Sequence, residues 1–209
     1  DPMFLKMASQ IYAGSNLPDK IQQFDSVKLY EARLEKLSRS KTGSFQIMIL
    51  EDFTRALRRK KTDALNMQHL YAAFEDESSE LNNLAKQLFQ GDVLDWKTPA
   101  RELLDEGFLR VEKSTVKEEL RFTYERFHEF MYARVFVQEE SEKLKPGLPI
   151  EVEAYETELR EMKGYAVING ALRHALVLDY GRTNGDPYTL IRLANSKTYG
   201  AAQLVMNTL

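Results

Sequence analysis

Leu103-Leu104-Asp105-Glu106-Gly107-Phe108-Leu109-Arg110-Val111 and, with eight residues between, Leu120-Arg121-Phe122-Thr123-Tyr124-Glu125-Arg126-Phe127-His128-Glu129-Phe130-Met131-Tyr132-Ala133 decide the reading of the fold. Upstream of them, Thr98-Pro99 has the form of a helix start, an N-cap hydroxyl followed by proline at the first helical position. Leu103 and Leu104 give that helix an apolar face, and Gly107 stops it. Phe108-Leu109-Arg110-Val111 then leads into a polar tip, Glu112–Glu119, with no core-forming cluster. Leu120, Phe122 and Tyr124 alternate with Arg121 and Thr123, which is the period of a half-buried strand. The period then lengthens: Phe127, Phe130, Met131 and Val135 fall at i, i+3, i+4 and i+8, the stripe of a packed helix.

Helix, strand, charged loop, strand is the ending of a winged-helix module, with Lys113 to Glu118 as its wing. The same residues carry a family resemblance. The run 103–109 followed by Phe122–Ala133 resembles the winged-helix domain of the STAND NTPases, the NACHT and NLR-like signalling ATPases. There the corresponding segment often reads F-x-H-x-S-F-Q-E-F-x-A-A. Phe127, Glu129, Phe130 and Ala133 match, whereas Tyr124 stands where many members have histidine and His128 where many have glutamine.

The resemblance implies a site. In the family a proline that opens a helix packs on the adenine, and Asp1-Pro2-Met3-Phe4-Leu5 resembles that element, so Pro2 is a nucleotide-binding candidate. The family histidine reaches the β-phosphate of ADP and locks the resting arrangement, which makes Tyr124 the second candidate. A tyrosine hydroxyl donates to phosphate but brings no positive charge at neutral pH. Arg126, two residues on, is the third candidate, as a source of that charge. The alternatives stand beside these: Pro2 as a plain helix start, Tyr124 as a buried corner aromatic with its hydroxyl tied to backbone, and Arg126 as an exposed, salt-bridged arginine.

The resemblance further implies the regulatory arm of a nucleotide-switched ATPase of intracellular, cytoplasmic defence or signalling, of prokaryotic antiviral type. No cofactor is expected in this chain itself, while the parent would use ATP/ADP with Mg. Its first partner would be its own upstream NTPase domain. Homo-oligomerisation on activation and a protein ligand at the C-terminal helical region follow from the same resemblance.

Composition bounds these readings. The 209 residues are enough for one large domain or two small ones, and 43% hydrophobic with 29% charged residues is an ordinary soluble globular composition. A net charge of −3 makes no global electrostatic case for nucleic acid or an anionic membrane. The absence of cysteine excludes disulfides and thiolate metal sites. No apolar run is long enough to span a bilayer, and no signal-peptide pattern opens the chain. Beginning at Asp1-Pro2 without a methionine, it reads as a fragment of a longer protein.

The fold class expected is mainly α with a small β-hairpin, in three parts: a helical subdomain over 1–40, a winged-helix domain over 41–143 and the start of an α-solenoid-like array over 144–209. An apolar helix from Asp1 to Tyr12 comes first. A second, about Asp19 to Leu37, turns Phe24, Val27, Tyr30, Leu34 and Leu37 to one face. The polar run Ser38–Gly43 is the expected seam, after which Ser44 caps a helix with Phe45, Ile49, Phe53, Ala56 and Leu57 inward. That helix closes on Arg58-Arg59-Lys60-Lys61, read as solvated cations complementing the helix dipole. Leu65 to Phe74 is a short helix or a strand-helix element. Leu81 to Phe89 is an amphipathic helix closed by Gly91, and Trp96 is a core aromatic. Beyond the turn 144–149, Val152, Tyr155, Leu159 and Met162 mark one helix and Ile168, Leu172, Ala175 and Leu176 another. Asp179–Gly185 reads as a loop, Asp186-Pro187 as another helix start, and Ala201 to Leu209 as a last helix.

No G-x-x-x-x-G-K-[ST] loop occurs, so a phosphate cradle and the paired acids for magnesium would lie upstream of Asp1. His69, His128 and His174 lack metal-site spacing, with His128 read as a solvated or partner-facing imidazole and His174 as a satisfied packing-edge histidine. Without cysteine or a Ser-His pairing there is no nucleophile-base constellation, and no catalysis is expected in this chain. Two further functions share the fold. A winged-helix DNA-binding regulator would place Thr98–Glu106 in the major groove, but Arg101 there faces Glu102, Asp105 and Glu106, and acids repel phosphate. A helical protein-protein adaptor would differ only in lacking an upstream ATPase.

Overall fold

The computed structural model describes residues 26–76, 78–79, 82–83, 86–87, 97–113, 118–198 and 200–206. They form a mainly helical chain with a small three-stranded antiparallel sheet. Packing divides the chain into two compact units, Asp1–Leu57 with Asp63–Tyr124, and Arg58–Thr62 with Glu125–Leu209.

In the first unit, α1 (Ser26–Ser38) buries Val27, Tyr30, Leu34 and Leu37, as its periodicity predicts, and Leu29 as well. A tight turn joins it to α2 (Gly43–Lys60), with Ser40 N–H donating to the Leu37 carbonyl at 3.0 Å and Gly43 N–H to the Ser40 carbonyl at 3.1 Å. A Cβ on Gly43 would stand 1.8 Å from the Leu37 carbonyl oxygen, so the turn needs glycine. The expected seam at 38–43 therefore lies inside one unit, and α2 starts a residue ahead of Ser44, which is not its cap. Phe45, Ile49, Phe53, Ala56 and Leu57 line its buried face.

The segment from Leu65 resolves as strand then helix, β1 (Leu65–Asn66) and α3 (Gln68–Glu75). Asn66 turns the chain by accepting the Gln68 N–H at 3.0 Å. After α4 (Lys97–Asp105) come β2 (Leu109–Lys113) and β3 (Glu118–Phe122), in the sheet order β1-β3-β2. The hairpin is thus not the whole sheet: β1 adds an outer strand, with Leu65 opposite Leu120. Two residues are too few to show an alternation. Thr98-Pro99 lies within the first turn of α4 and not ahead of it. Its other end is a Schellman cap: Phe108 N–H donates to Leu103 C=O at 2.9 Å and Gly107 N–H to Leu104 C=O at 3.0 Å, with Gly107 at φ 77°. Leu103 and Phe108, the pair this motif brings together, are both buried. The helix expected over Asp1–Tyr12, Phe24, the helix closed by Gly91, Trp96 and the wing tip 114–117 lie outside the described residues.

The second unit contains α5 (Glu125–Ser141), α6 (Val152–Glu161), α7 (Ile168–Arg182), α8 (Tyr188–Ala194) and α9 (Ala201–Met206). Its core joins Tyr132, Ala133 and Phe136 of α5 to Ala171, Leu172 and Ala175 of α7, with Tyr155 edge-on to Phe136 at 5.2 Å between ring centroids. Each such large side chain contributes roughly 1.5–3 kcal/mol by leaving water. Residues 125–143, grouped with the hairpin in the sequence reading, pack instead with 144–209. Gly170 permits this approach: a Cβ there would lie 1.9 Å from Glu129 Oε1.

Asp179 to Arg182 are helical and not loop, because Asp179 is a buried anchor. Its carboxylate accepts the Ile150 N–H at 3.1 Å and the Arg182 guanidinium at 2.6 Å, while Thr189 Oγ1 donates to the Ile150 carbonyl at 2.8 Å. The turn follows at Asn184 and Gly185, at φ 56° and 86°. Asp186 then accepts the Tyr188 N–H at 2.9 Å and starts α8.

Candidate functional site

The strand-helix corner follows directly from the ladder. Phe122, opposite Leu109, is its last paired residue, and Thr123 N–H donates to the Phe108 carbonyl at 3.0 Å. Tyr124 comes after the last pairing and before Glu125 opens α5, so neither ladder nor helix claims its side chain. It is half-buried, and its hydroxyl has no partner among the described residues. The division between the two units falls immediately after it. Arg126 is exposed over 59% of its side chain, and its guanidinium stands 3.2 Å from Glu129. Glu129, about one turn further along α5, is buried. Burial pushes its carboxyl above the usual range, against the opposing charges of Arg126 and Arg173. Pro2 lies outside the described residues. Of the three candidates, the structure shows Tyr124 with an open hydroxyl and Arg126 already engaged by Glu129.

A second polar centre escaped the sequence reading. Arg58 is not a solvated dipole cation. Its Nε and Nη2 grip Glu158 at 2.7 Å each, its Nη1 reaches Glu139, and its plane lies over the Tyr132 and Phe136 rings at 5.4 and 5.8 Å. Tyr132 donates its hydroxyl to the same Glu158. Burial alone would lower the arginine's pKa, but the hydrogen bonds and charge of Glu158 outweigh it and hold the guanidinium charged. Burial and then the neighbouring Glu158 charge push the Tyr132 hydroxyl well above its ordinary value, so it stays a donor. With both Glu158 oxygens engaged, the centre is a clamp and holds no nucleophile or free base. A sequence signal existed: Glu158 sits in the apolar stripe of Tyr155 and Met162, at i+3 and i−4.

His128 is likewise buried, at 3% exposure, and not solvated. Tyr165 donates its hydroxyl to the Thr62 carbonyl at 2.8 Å, and the same oxygen lies 3.2 Å from His128 Nε2. That single hydroxyl proton is spent on Thr62, so the imidazole donates from Nε2. His174 is buried edge-on against Phe130, in keeping with a packing role.

The cations of the hairpin's described residues are compensated. Arg110 pairs with Glu112, Lys113 with Glu118, and Arg121 with Asp63, Glu112 and Glu119, all within 3.2 Å. On α4, Glu106 takes Arg33 at 2.7 Å, and Glu102 accepts from Thr42 and Gln46. Among the described residues, no group of histidines and carboxylates is arranged to hold a metal ion, and no helix is long and apolar enough to cross a membrane. No family model, curated protein or solved structure matches the chain.

Proposed function

We propose that this chain is the regulatory arm of a nucleotide-switched STAND-type ATPase, closing over ADP at rest and opening on activation. In this reading the helix-hairpin unit is its winged-helix part and α6 to α9 begin a helical sensor array. The observation that carries the proposal is the open hydroxyl of Tyr124 at the place where one compact unit ends and the other begins. A hydrogen bond from that position to a bound phosphate exists only in one arrangement, and such differential contact is what a ligand needs to shift an equilibrium. Arg126 serves through Glu129 as a local brace and not as the phosphate cation. ATP/ADP and Mg would be held by upstream residues of the parent, with a cytoplasmic signalling role and oligomerisation on opening.

The acids of α4 and the paired cations of the described hairpin residues disfavour the DNA-binding alternative, since acids repel phosphate and phosphate contacts need uncompensated cations. The helical adaptor is separated by a simpler observation, the presence or absence of a P-loop encoded ahead of Asp1. The direct test is made in the full-length protein. Tyr124→Phe removes one hydrogen bond to a charged acceptor, roughly 1.5–3 kcal/mol, and is expected to raise spontaneous activity about tenfold for each 1.4 kcal/mol. Tyr124→His is expected to retain ADP as well as or better than wild type. Unchanged ADP retention and basal signalling in Tyr124→Phe would defeat the reading.

A further inference from the structure

The second unit contains a cavity of about 650 Å³ where the C-terminal end of α6, the start of α7 and the turn into α9 meet. Leu159, Ile168 and Leu204 give it apolar walls, and Arg160, Lys163 and Arg173 line it with positive charge. No aspartate or glutamate is among its lining residues. Elsewhere in the unit Arg58, Arg126, Lys143, Arg182 and Arg192 each face a carboxylate within 4 Å. At the cavity Arg160 donates only to the neutral Thr157 hydroxyl, at 3.3 Å, and Lys163 has no carboxylate partner among the described residues. Arg173 donates Nε to the Asn169 carbonyl at 3.1 Å and interacts electrostatically with Glu129. Two cations thus line an apolar wall with no carboxylate partner among the described residues.

We infer that this cavity binds a small organic anion, with a phosphate or carboxylate group at Arg160 and Lys163 and an apolar body against Leu159, Ile168 and Leu204. The volume lies in the range of small-molecule sites, and an apolar pocket with a few convergent polar groups is their usual form. Asn169, also on its wall, supplies an amide for orientation. The inference does not rest on the switch proposed above, because it involves neither Tyr124 nor a nucleotide.

The test is a titration of the chain with phenyl phosphate, benzoate, inorganic phosphate and benzyl alcohol, followed by calorimetry and by backbone amide shifts. Saturable one-to-one binding of phenyl phosphate or benzoate, with shifts at Gly164, Asn169 and Gly200, is expected; whichever binds tighter identifies the anionic group. Arg160→Gln with Lys163→Gln should weaken it about tenfold or more while the urea midpoint stays put, since both side chains are exposed. Inorganic phosphate binding as tightly as phenyl phosphate would reduce the site to an adventitious ion only. That result, equal affinity in the double variant, or no saturable binding overturns the inference.

Discussion

Arg121 and Arg58 are each surrounded by carboxylates, in different units and at different depths. Arg121 meets Asp63, Glu112 and Glu119 on the hairpin, where the partners' side chains are 60%, 44% and 36% exposed. Arg58 meets Glu158, whose side chain is only 8% exposed, and has two aromatic rings beneath its plane. The same pairing chemistry therefore has different consequences. Water can solvate the hairpin carboxylates if their arginine leaves, whereas Glu158 has no such recourse. Counting ion pairs would rank the hairpin first; burial ranks the clamp first.

The largest effect expected is at the clamp. Arg58→Met and Glu158→Leu, made singly, should each cost about 3–5 kcal/mol in a urea melt, because each strands a buried charge. The double variant should recover most of that loss, since apolar side chains of similar volume commonly replace a buried pair at little cost. Equal and additive losses would mean that the clamp is solvated like the hairpin, and would remove the contrast.

Next in size is the contact between α5 and α7. Gly170→Ala puts a methyl where the Glu129 carboxylate now sits and should cost about 1–3 kcal/mol, the usual range for overpacking. Pairing it with Glu129→Ala, which clears the space, should give a strongly non-additive cycle. A silent Gly170→Ala would show that α5 and α7 can part there freely.

How much of this was legible follows the same line of burial. The apolar stripes of α1, α2, α5 and α7 and the Gly107 cap could be read because each is a local pattern, complete within a turn or two. β1 could not, because a two-residue strand has no period and exists only through its partner β3. Arg58 was misread for a related reason: a basic run at a helix end looks solvated until Glu158, one hundred residues away, arrives. His128 and Asp179 failed likewise, their partners Tyr165 and Ile150 being remote in the chain. At the candidate site, the corner position of Tyr124 was legible from the change of period. Its free hydroxyl was not, because that depends on where the ladder ends.

A gentler test uses pH. Glu129 has its carboxyl raised in the folded chain, mainly by burial, so the folded state binds its proton more tightly than the unfolded state. Its ionisation therefore opposes folding: the penalty is absent below the unfolded carboxylate pKa, grows as pH rises through the folded one, and is complete only above it. Glu129→Gln should accordingly be relatively more stable at pH 7 than at pH 3, measured against wild type. A pH-independent difference would show that Arg126 and Arg173 already cancel the burial cost.

The smallest effect is expected at Arg121, whose three carboxylates make it look important. Arg121→Gln loses exposed pairs that gain little in high dielectric and that cost side-chain entropy to hold, so the loss should be under about 1 kcal/mol. It should also shrink as salt rises, because charges at the surface are screened over about 8–10 Å near physiological ionic strength. The clamp variants should show no such dependence, being shielded from mobile ions. Urea midpoints of Arg121→Gln and Arg58→Met at low and high salt therefore separate the two arginines on an axis independent of magnitude. A large, salt-insensitive loss at Arg121 would mean that the hairpin carboxylates depend on their arginine as Glu158 does, and that accessibility is the wrong measure of the difference between the two.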